Sequence, residues 1–167
     1  MSIDSLGLDS TQNSQQTPKA EKSYLGRQMN QTIGCLGDVG QVVLPLGAGV
    51  QALFYRDYRG FFLLALATAV NQVCIEGLKK VTNITRPSGG RGSFPSGHTA
   101  AAFLGAGFIA CRYGMSQMPW TVFIYALFAT FVGASRVATN NHWVSDTVGG
   151  CLLALTICVI CVPRQMV

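Results

Sequence analysis

Five long apolar segments, separated by short polar stretches, follow a polar amino-terminal region. A helix that crosses a membrane needs about 20 mainly apolar residues, within a range of about 17–25. The second, fourth and fifth segments meet this requirement alone, whereas the third is short and the first is interrupted by Asp38, Pro45 and several glycines. We therefore predict an all-α fold, a multi-pass transmembrane helical bundle with about five spanning helices. The segments are Ile33–Tyr55, Phe61–Leu78, Thr99–Tyr113, Trp120–Val137 and Val144–Val162.

The amino-terminal region, residues 1–30, is rich in Ser, Gln, Thr and Asn. It lacks the basic start and apolar core of a secretory signal, so we do not expect it to be one. Its composition favours a flexible tail, with a short interfacial helix from Tyr24 to Met29 as the alternative. The predicted division of the chain is thus a polar flexible tail over residues 1–30 and a membrane-embedded domain over residues 31–167.

Composition supports a membrane protein and weakens two other classes. Apolar residues make up 49% of the chain and charged residues only 11%, against about 25% charged residues in soluble domains. The net charge of +5 does not form a nucleic-acid site, because no run of Lys or Arg exceeds two residues and aromatic residues do not alternate with them. The six cysteines lie in or beside apolar segments without further ligands nearby, which favours small hydrophobic side chains over a metal site.

Three polar clusters at the ends of the apolar segments carry the candidate chemistry, and together they contain both histidines of the chain. The first covers residues 79–87 after the second segment, the second covers residues 91–98 before the third, and the last covers residues 135–146 between the fourth and fifth. Two predicted spans separate the second cluster from the last, so all three emerge on the same membrane face. We therefore predict that they converge on one site.

His142 and Asp146 are four residues apart, about one helical turn, so their side chains share a helix face. A carboxylate that accepts a hydrogen bond from one imidazole nitrogen leaves the other nitrogen free to attack, and it stabilises the cation that forms afterwards. The alternative is a capping turn with a solvated aspartate. The pair is a candidate nucleophile with its orienting carboxylate.

Ser96 and Gly97 stand at the start of the third apolar segment. Ser96 is a candidate N-cap, and Gly97 lets a ligand approach the backbone. The free N–H groups and the positive end of that helix would bind an anion. The alternative is an ordinary cap after a proline turn.

Three cations, Lys79, Arg86 and Arg136, lie where charge is costly unless it reaches the membrane interface or a partner. One interpretation is that they extend to the interface and attract lipid headgroups. The other is a clamp on phosphate oxygens, to which arginine donates two hydrogen bonds. Such a clamp would stabilise the charge of a pentacoordinate transition state.

Three further polar residues lie outside the three clusters. Glu76 stands three residues before Lys79 and four before Lys80, and an ion pair with one of them is the simpler account. Asp38 and Gln41 lie within the first apolar segment. They would either line a cavity or bond a neighbouring helix, and the sequence does not decide between these.

The clusters share a fixed order and spacing: Lys79, six residues, Arg86 and Pro87; Pro95, Ser96, Gly97 and His98; Ser135 and Arg136, five residues, His142, three residues, Asp146. This pattern resembles the three-part signature of the type 2 phosphatidic acid phosphatase superfamily, which also includes bacterial acid phosphatases and vanadium haloperoxidases. Every signature position is filled at matching spacing. The resemblance implies an α-helical bundle with the active site at the ends of its core helices.

The resemblance also implies a role for each signature residue. His142 would be the nucleophile that forms a phosphohistidine, Asp146 would orient and polarise it, and His98 would protonate the leaving alkoxide. Water would then hydrolyse the intermediate, with no metal and no cofactor. The residues expected to bind the phosphoryl oxygens are Lys79, Arg86, Ser96, Gly97 and Arg136.

The implied function is a membrane lipid phosphatase that acts on a phosphomonoester or pyrophosphate of an amphiphile. Phosphatidic acid, phosphatidylglycerophosphate, polyprenyl pyrophosphate and lipid A phosphate stay open as substrates. Vanadate-dependent halide oxidation is a weaker alternative, because those relatives are larger and soluble. A non-enzymatic membrane protein that binds anionic headgroups is the other alternative.

The expected location is a bacterial inner membrane, with the site on the extracytoplasmic side that the superfamily usually uses. Members often carry six spans, whereas five are counted here. Positive charges are nearly balanced between the two sides, so the charge-bias rule does not orient the chain. The sequence does not fix the oligomeric state.

Overall fold

The protein is a bundle of helices in a computed structural model that describes residues 10–165, with side chains described for residues 23–114 and 117–165. Every regular element in this part of the chain is helical, which confirms the predicted all-α fold. The elements are α1 (Ser10–Phe54), α2 (Tyr58–Thr82), α3 (Gly97–Arg112), α4 (Gly114–Gln117), α5 (Pro119–Ala138) and α6 (Val144–Cys161).

Four of these helices are long and apolar enough to cross a membrane: residues Ser23–Phe54 within α1, and the whole of α2, α5 and α6. The third predicted span, α3, has 16 residues. At about 1.5 Å per residue it is about 24 Å long, less than the hydrocarbon core of about 30 Å. The expected five spans therefore become four full-length helices around a shorter central one. Helix α3 can be shorter than the hydrocarbon core because the other helices enclose it.

The amino-terminal tail overlaps α1. Residues 10–30 are helical in the structure, and residues 1–9 of the predicted tail lie outside the described part. The mobility of this region and the division at residue 30 stay predictions.

Small residues let the other helices reach α3 closely. A Cβ atom at Gly105 would lie 2.7 Å from the carbonyl carbon of Leu44, so the backbones of α1 and α3 are in direct contact there. Helices α1, α2, α5 and α6 all pack against α3, and ten of its 16 residues are buried. Its amino terminus, which carries His98, is thus held by the rest of the bundle.

The outer surface of the bundle is apolar. Large hydrophobic side chains point outward from α2, α5 and α6, for example Phe62, Trp120 and Ile160, each about three-quarters exposed (73%, 77% and 75%). A continuous apolar surface of this kind is unfavourable in water and is typical of contact with lipid. Together with the four long apolar helices, it supports an integral membrane protein.

A buried ion pair closes the end of the bundle opposite His98. Arg112 at the end of α3 donates two hydrogen bonds of 2.7 Å to the carboxylate of Asp57 and a third of 2.8 Å to the carbonyl of Pro163. Asp57 also caps α2 by accepting from the backbone N–H of Gly60 at 2.9 Å. The Arg112 guanidinium lowers the pKa of Asp57, so this pair holds the α1–α2 connection, α3 and the carboxy-terminal segment together.

Candidate active site

Two chain connections and the helix ends that flank them meet at one end of the bundle: residues 83–96 between α2 and α3, and residues 139–143 between α5 and α6. The first connection closes on itself, since Ser93 donates its backbone N–H to the carbonyl of Ile84 at 2.9 Å. It also folds back on α2, since the carbonyl of Phe94 accepts from the hydroxyl of Thr82, the last residue of α2, at 3.2 Å. It is joined to the second by the Trp143 indole, which donates to the carbonyl of Thr85 at 2.9 Å. The structure thus brings the three polar clusters together.

The His142–Asp146 pair lies at the centre of this region. Nδ1 of His142 is 3.5 Å from Oδ2 of Asp146, and both side chains are buried (3% and 1% exposed). At this distance the contact is electrostatic rather than a hydrogen bond of normal length, and Nδ1 has no hydrogen-bond partner among the described residues. Nδ1 therefore faces the carboxylate, which leaves the other ring nitrogen, Nε2, as the candidate for chemistry.

Asp146 links the second and third clusters. Its Oδ2 accepts from the backbone N–H of Trp143 at 2.8 Å and from the hydroxyl of Ser93. Its backbone carbonyl accepts from the N–H of Ser96 at 2.9 Å. Sequence reasoning missed Ser93, because a serine in a small-residue loop gives no signal of its own beyond its place two residues before the Pro95 motif.

Two effects lower the pKa of the His142 imidazole: burial of the ring, and then the positive charge of Arg86. The Asp146 carboxylate and a contact with the backbone of Ser93 act in the opposite direction but are weaker. Since the ordinary pKa of histidine is 6.5, the lowered value keeps the ring neutral at pH 7. A neutral imidazole has the lone pair that a nucleophile needs.

The predicted N-cap at the start of α3 is present. The buried hydroxyl of Ser96 accepts from the backbone N–H of Thr99 at 3.4 Å and from its hydroxyl at 2.9 Å. Gly97 follows, and Nζ of Lys79 lies 3.7 Å from the position that a Cβ atom would take there. A cation and the positive end of a helix therefore meet at one point, which suits an anion.

The three predicted cations differ in their surroundings. Lys79 is 3.3 Å from Glu76, the ion pair expected from sequence. Arg86 is half-buried, and its Nε has no hydrogen-bond partner among the described residues. Arg136 is buried, its backbone carbonyl accepts from the N–H of His142 at 3.2 Å, and its guanidinium is turned toward α1.

Asp38 on α1 joins this site, where it both contacts residues of neighbouring helices and lines a polar cavity. Its Oδ1 lies 2.6 Å from Nη1 of Arg136 and 3.0 Å from Nε2 of His98. Gln41 instead lines an apolar groove of about 730 Å³ between α1 and α2. The only sequence signal for Asp38 was a carboxylate inside an apolar segment.

Two cavities with different linings adjoin the site. A polar one of about 400 Å³ contains the Asp38–Arg136 pair and is otherwise lined by Asn30, Gln31, Gly34, Cys35, Thr139 and Asn141. An apolar one of about 590 Å³ lies between α3, α5 and α6 and begins at Val144 and Thr147, next to His142 and Asp146. Over the described residues, no group of three or more His, Cys, Asp and Glu side chains is arranged to hold a metal.

Comparison with known proteins identifies the family. A family model described as the PAP2 superfamily matches residues 88–166. Lipid A 4'-phosphatase of Helicobacter pylori strain J99 is 34% identical over 141 residues, which cover 75% of this chain and 69% of that protein. The chain belongs to the PAP2 superfamily. This confirms the family that the three motifs indicate.

The fold of this PAP2 protein is also similar to solved structures. The crystal structure of LpxE from Aquifex aeolicus matches with a TM-score of 0.66 and 22% identity, covering 80% of this chain and 84% of that one. A PAP2-type phosphatidylglycerolphosphate phosphatase from Bacillus subtilis matches with a TM-score of 0.63 and 24% identity, covering 89% and 84%. At these identities the likeness concerns the fold, and it supports the helical membrane architecture.

Proposed function

We propose that this PAP2 protein is a membrane lipid phosphatase that hydrolyses a phosphomonoester or pyrophosphate of an amphiphilic lipid through a phosphohistidine intermediate. The observation that carries the proposal is the buried His142–Asp146 pair, whose ring is neutral at pH 7 beside the Arg86 charge. The apolar grooves between the helices support a lipid substrate, as does the 34% identity to a lipid A 4'-phosphatase.

In the first step, Nε2 of His142 attacks phosphorus while the bond from phosphorus to the lipid oxygen breaks. His98 donates a proton to that oxygen, so the lipid leaves as an alcohol rather than as an alkoxide. The imidazole becomes cationic as the P–N bond forms. Asp146, 3.5 Å from Nδ1, stabilises this cation and keeps the ring oriented.

In the second step, a water molecule attacks the phosphohistidine from the side that the lipid has left. His98, now neutral, accepts a proton from the water, and the P–N bond breaks to return His142 to its neutral form. Inorganic phosphate is the second product. One histidine thus serves as acid and then as base, as microscopic reversibility requires.

Charge stabilisation falls to the remaining signature residues. Lys79, Arg86 and Arg136 bind the non-bridging oxygens, and the N–H groups at the start of α3 bind beside Gly97, where no Cβ blocks the approach. Fixed donors of this kind stabilise the pentacoordinate transition state more than the substrate. Because these cations supply the positive charge that a divalent metal supplies elsewhere, we propose a metal-independent reaction.

The first substrate to test is a lipid A phosphate, given the relative's identity. The polar cavity beside Arg136 offers neutral amide and hydroxyl groups from Asn30, Gln31 and Thr139, which would bind a hydroxyl-bearing headgroup. Phosphatidylglycerophosphate, phosphatidic acid and polyprenyl pyrophosphate complete the panel. A bacterial inner membrane with the site on the extracytoplasmic side is the proposed location.

The test is release of inorganic phosphate from this lipid panel in detergent micelles containing EDTA. The parent protein should release phosphate, and His142→Ala should reduce the rate to background. Phe62→Leu, an exposed position on the outer face of α2, is the control and should match the parent. Equal release by the parent and His142→Ala would reject the phosphohistidine route, and a rate that EDTA abolishes would reject metal independence.

A lipid-binding protein without enzyme activity is the competing function. It predicts no phosphate release by the parent, together with binding of anionic micelles that His142→Ala leaves unchanged. Quenching in alkaline detergent during turnover of a ³²P-labelled substrate separates the two directly, because a label on the protein that survives base and is lost in acid would be the intermediate.

A further inference from the structure

Asp38 is a charged residue of the site that belongs to none of the three motifs. A single oxygen, Oδ1, contacts two residues of the proposed machinery, Nη1 of Arg136 at 2.6 Å and Nε2 of His98 at 3.0 Å. These partners come from α5 and α3, whereas Asp38 comes from α1. The carboxylate therefore joins three helices at the end of the bundle where the reaction is proposed to occur.

The position of Asp38 is set by close packing of α1 on α5. The neighbouring residue, Gly37, has no room for a Cβ, because that atom would clash with the Ser135 hydroxyl and the Arg136 guanidinium. One turn before Asp38, the carbonyl of Gly34 accepts from Nη2 of Arg136. Backbone and side chain of α1 thus bind the same guanidinium, so the register of the helix fixes where the carboxylate lies.

The presence of the Asp38 carboxylate at this site requires an explanation, because its negative charge repels the phosphate that the site is proposed to bind. Burial of the ring has the largest effect on His98 and lowers its pKa. The charged groups that act on the ring are Arg136 from α5, Asp38 from α1 and Lys79 from α2. Two of the three are cations, which oppose a protonated imidazole. A general acid must carry its proton when substrate binds, and among these groups only the Asp38 carboxylate stabilises that form.

We propose that Asp38 is a positioning residue of the reaction: it holds His98 by Nε2 as a protonated general acid and leaves Nδ1 to face the leaving oxygen. The inference depends on the proposed phosphatase function. The site then contains two aspartate–histidine pairs with opposite tasks. Asp146 holds the nucleophile His142, and Asp38 holds the acid His98.

The competing explanation is that Asp38 occupies the phosphate position when no substrate is bound. Its carboxylate is 57% exposed and contacts Arg136, a proposed phosphate ligand. Under that explanation the residue competes with substrate, so removing its charge would lower KM without lowering kcat. The two explanations therefore predict opposite effects of one substitution.

The experiment compares Asp38→Asn and Asp38→Glu with the parent on two substrates. One is a lipid phosphate with an alkoxide leaving group, and the other is p-nitrophenyl phosphate, whose leaving group needs no proton. General acid catalysis contributes about 10²–10⁴-fold. We expect Asp38→Asn to lower kcat about 10–100-fold for the lipid but less than about fivefold for the aryl phosphate, and Asp38→Glu to recover part of the loss.

The pH profile is the readout that a purely structural role would not change. The rate falls as pH rises through the range in which His98 loses its proton. Without the carboxylate the protonated form is less stable, so the alkaline limb of kcat should move to lower pH in Asp38→Asn and return toward the parent position in Asp38→Glu. In addition, Asp38→Asn should have little further effect in a His98→Gln background, because the acid is already absent there.

Thr32→Ala, an exposed position on the same helix whose hydroxyl donates to the carbonyl of Gln28, is the matched control. It should leave rate and pH profile unchanged. A lower KM with unchanged kcat in Asp38→Asn, or an equal loss on both substrates with an unmoved alkaline limb, would overturn the inference. An inactive parent would refute the proposed function itself, whereas an active parent indifferent to Asp38→Asn refutes this inference alone.

Discussion

Replacing Asp146 with asparagine removes one charge from the centre of the site while keeping the shape of the side chain. In the parent, Oδ2 of Asp146 accepts from the backbone N–H of Trp143 at 2.8 Å and lies 3.5 Å from Nδ1 of His142. An asparagine can keep the first contact through its amide oxygen. It cannot provide the negative charge that faces the imidazolium formed during phosphoryl transfer.

The size of the effect follows from the distance. Two unit charges 3.5 Å apart interact by about 5 kcal/mol at an effective dielectric constant of about 20. Since each 1.36 kcal/mol is about tenfold in rate, this corresponds to a loss of about three orders of magnitude. Relaxation of the surroundings reduces the loss and a wrongly oriented ring increases it, so we expect kcat to fall about 10²–10⁴-fold, as for other carboxylates that orient histidine.

The assay is single-turnover formation of the labelled phosphoenzyme, measured by rapid quench, together with steady-state phosphate release. Ser145→Asn, an exposed neighbour on the same helix, places the same side chain outside the pair and should retain parent rates. Thermal unfolding in detergent should be nearly the same for both variants. If Asp146→Asn forms the intermediate within about threefold of the parent rate, the buried carboxylate does not position the nucleophile and the reasoning is wrong.

Four further changes test other contacts. Ser93→Ala removes one hydrogen bond to the Asp146 carboxylate, and kcat should fall about tenfold, the equivalent of about 1.5 kcal/mol for a bond to a charged group; unchanged kinetics would show that Trp143 alone holds the carboxylate. Arg86→Gln removes a charge that lowers the pKa of His142, so the acid limb of kcat/KM should move to higher pH; a limb that stays or moves to lower pH would contradict this. Arg112→Ala leaves the Asp57 carboxylate buried without its partner, and the free energy of unfolding should fall by about 3–5 kcal/mol, seen as a lower Tm that an Arg112→Lys variant only partly restores. Orthovanadate should inhibit phosphate release competitively as a five-coordinate mimic, and insensitivity would argue against in-line attack by His142.

Much of the site was predictable from sequence because its parts are local. The Ser96 cap depends on neighbours within three residues, and His142 and Asp146 share a helix face because they are one turn apart. The common location of the three clusters follows from counting apolar segments between them. Each of these inferences uses only the order of residues and the geometry of a helix.

The parts of the site that were not predictable depend on contacts between distant parts of the chain. Asp38 and Arg136 are 98 residues apart, and their pairing depends on how closely α1 approaches α5, which spacing along the chain does not encode. Ser93 reaches Asp146 only because the loop before α3 folds back on α2. The third segment was expected to be short, and α3 has 16 residues; that it lies enclosed among the other helices could not be predicted, because apolar composition is the same for a helix buried in protein and a helix that faces lipid.

The short central helix has a consequence for how a lipid reaches the site. Helix α3 is about 24 Å long, and a bilayer core is about 30 Å thick, so its two ends cannot both lie at the headgroup plane. When the opposite end of α3 lies at its own headgroup plane, a phosphate bound at the first turn lies deeper than the other headgroups of its leaflet unless the leaflet thins around the protein. Bilayer thickness then enters the energetics of substrate capture, and acyl-chain length becomes a variable separate from headgroup chemistry.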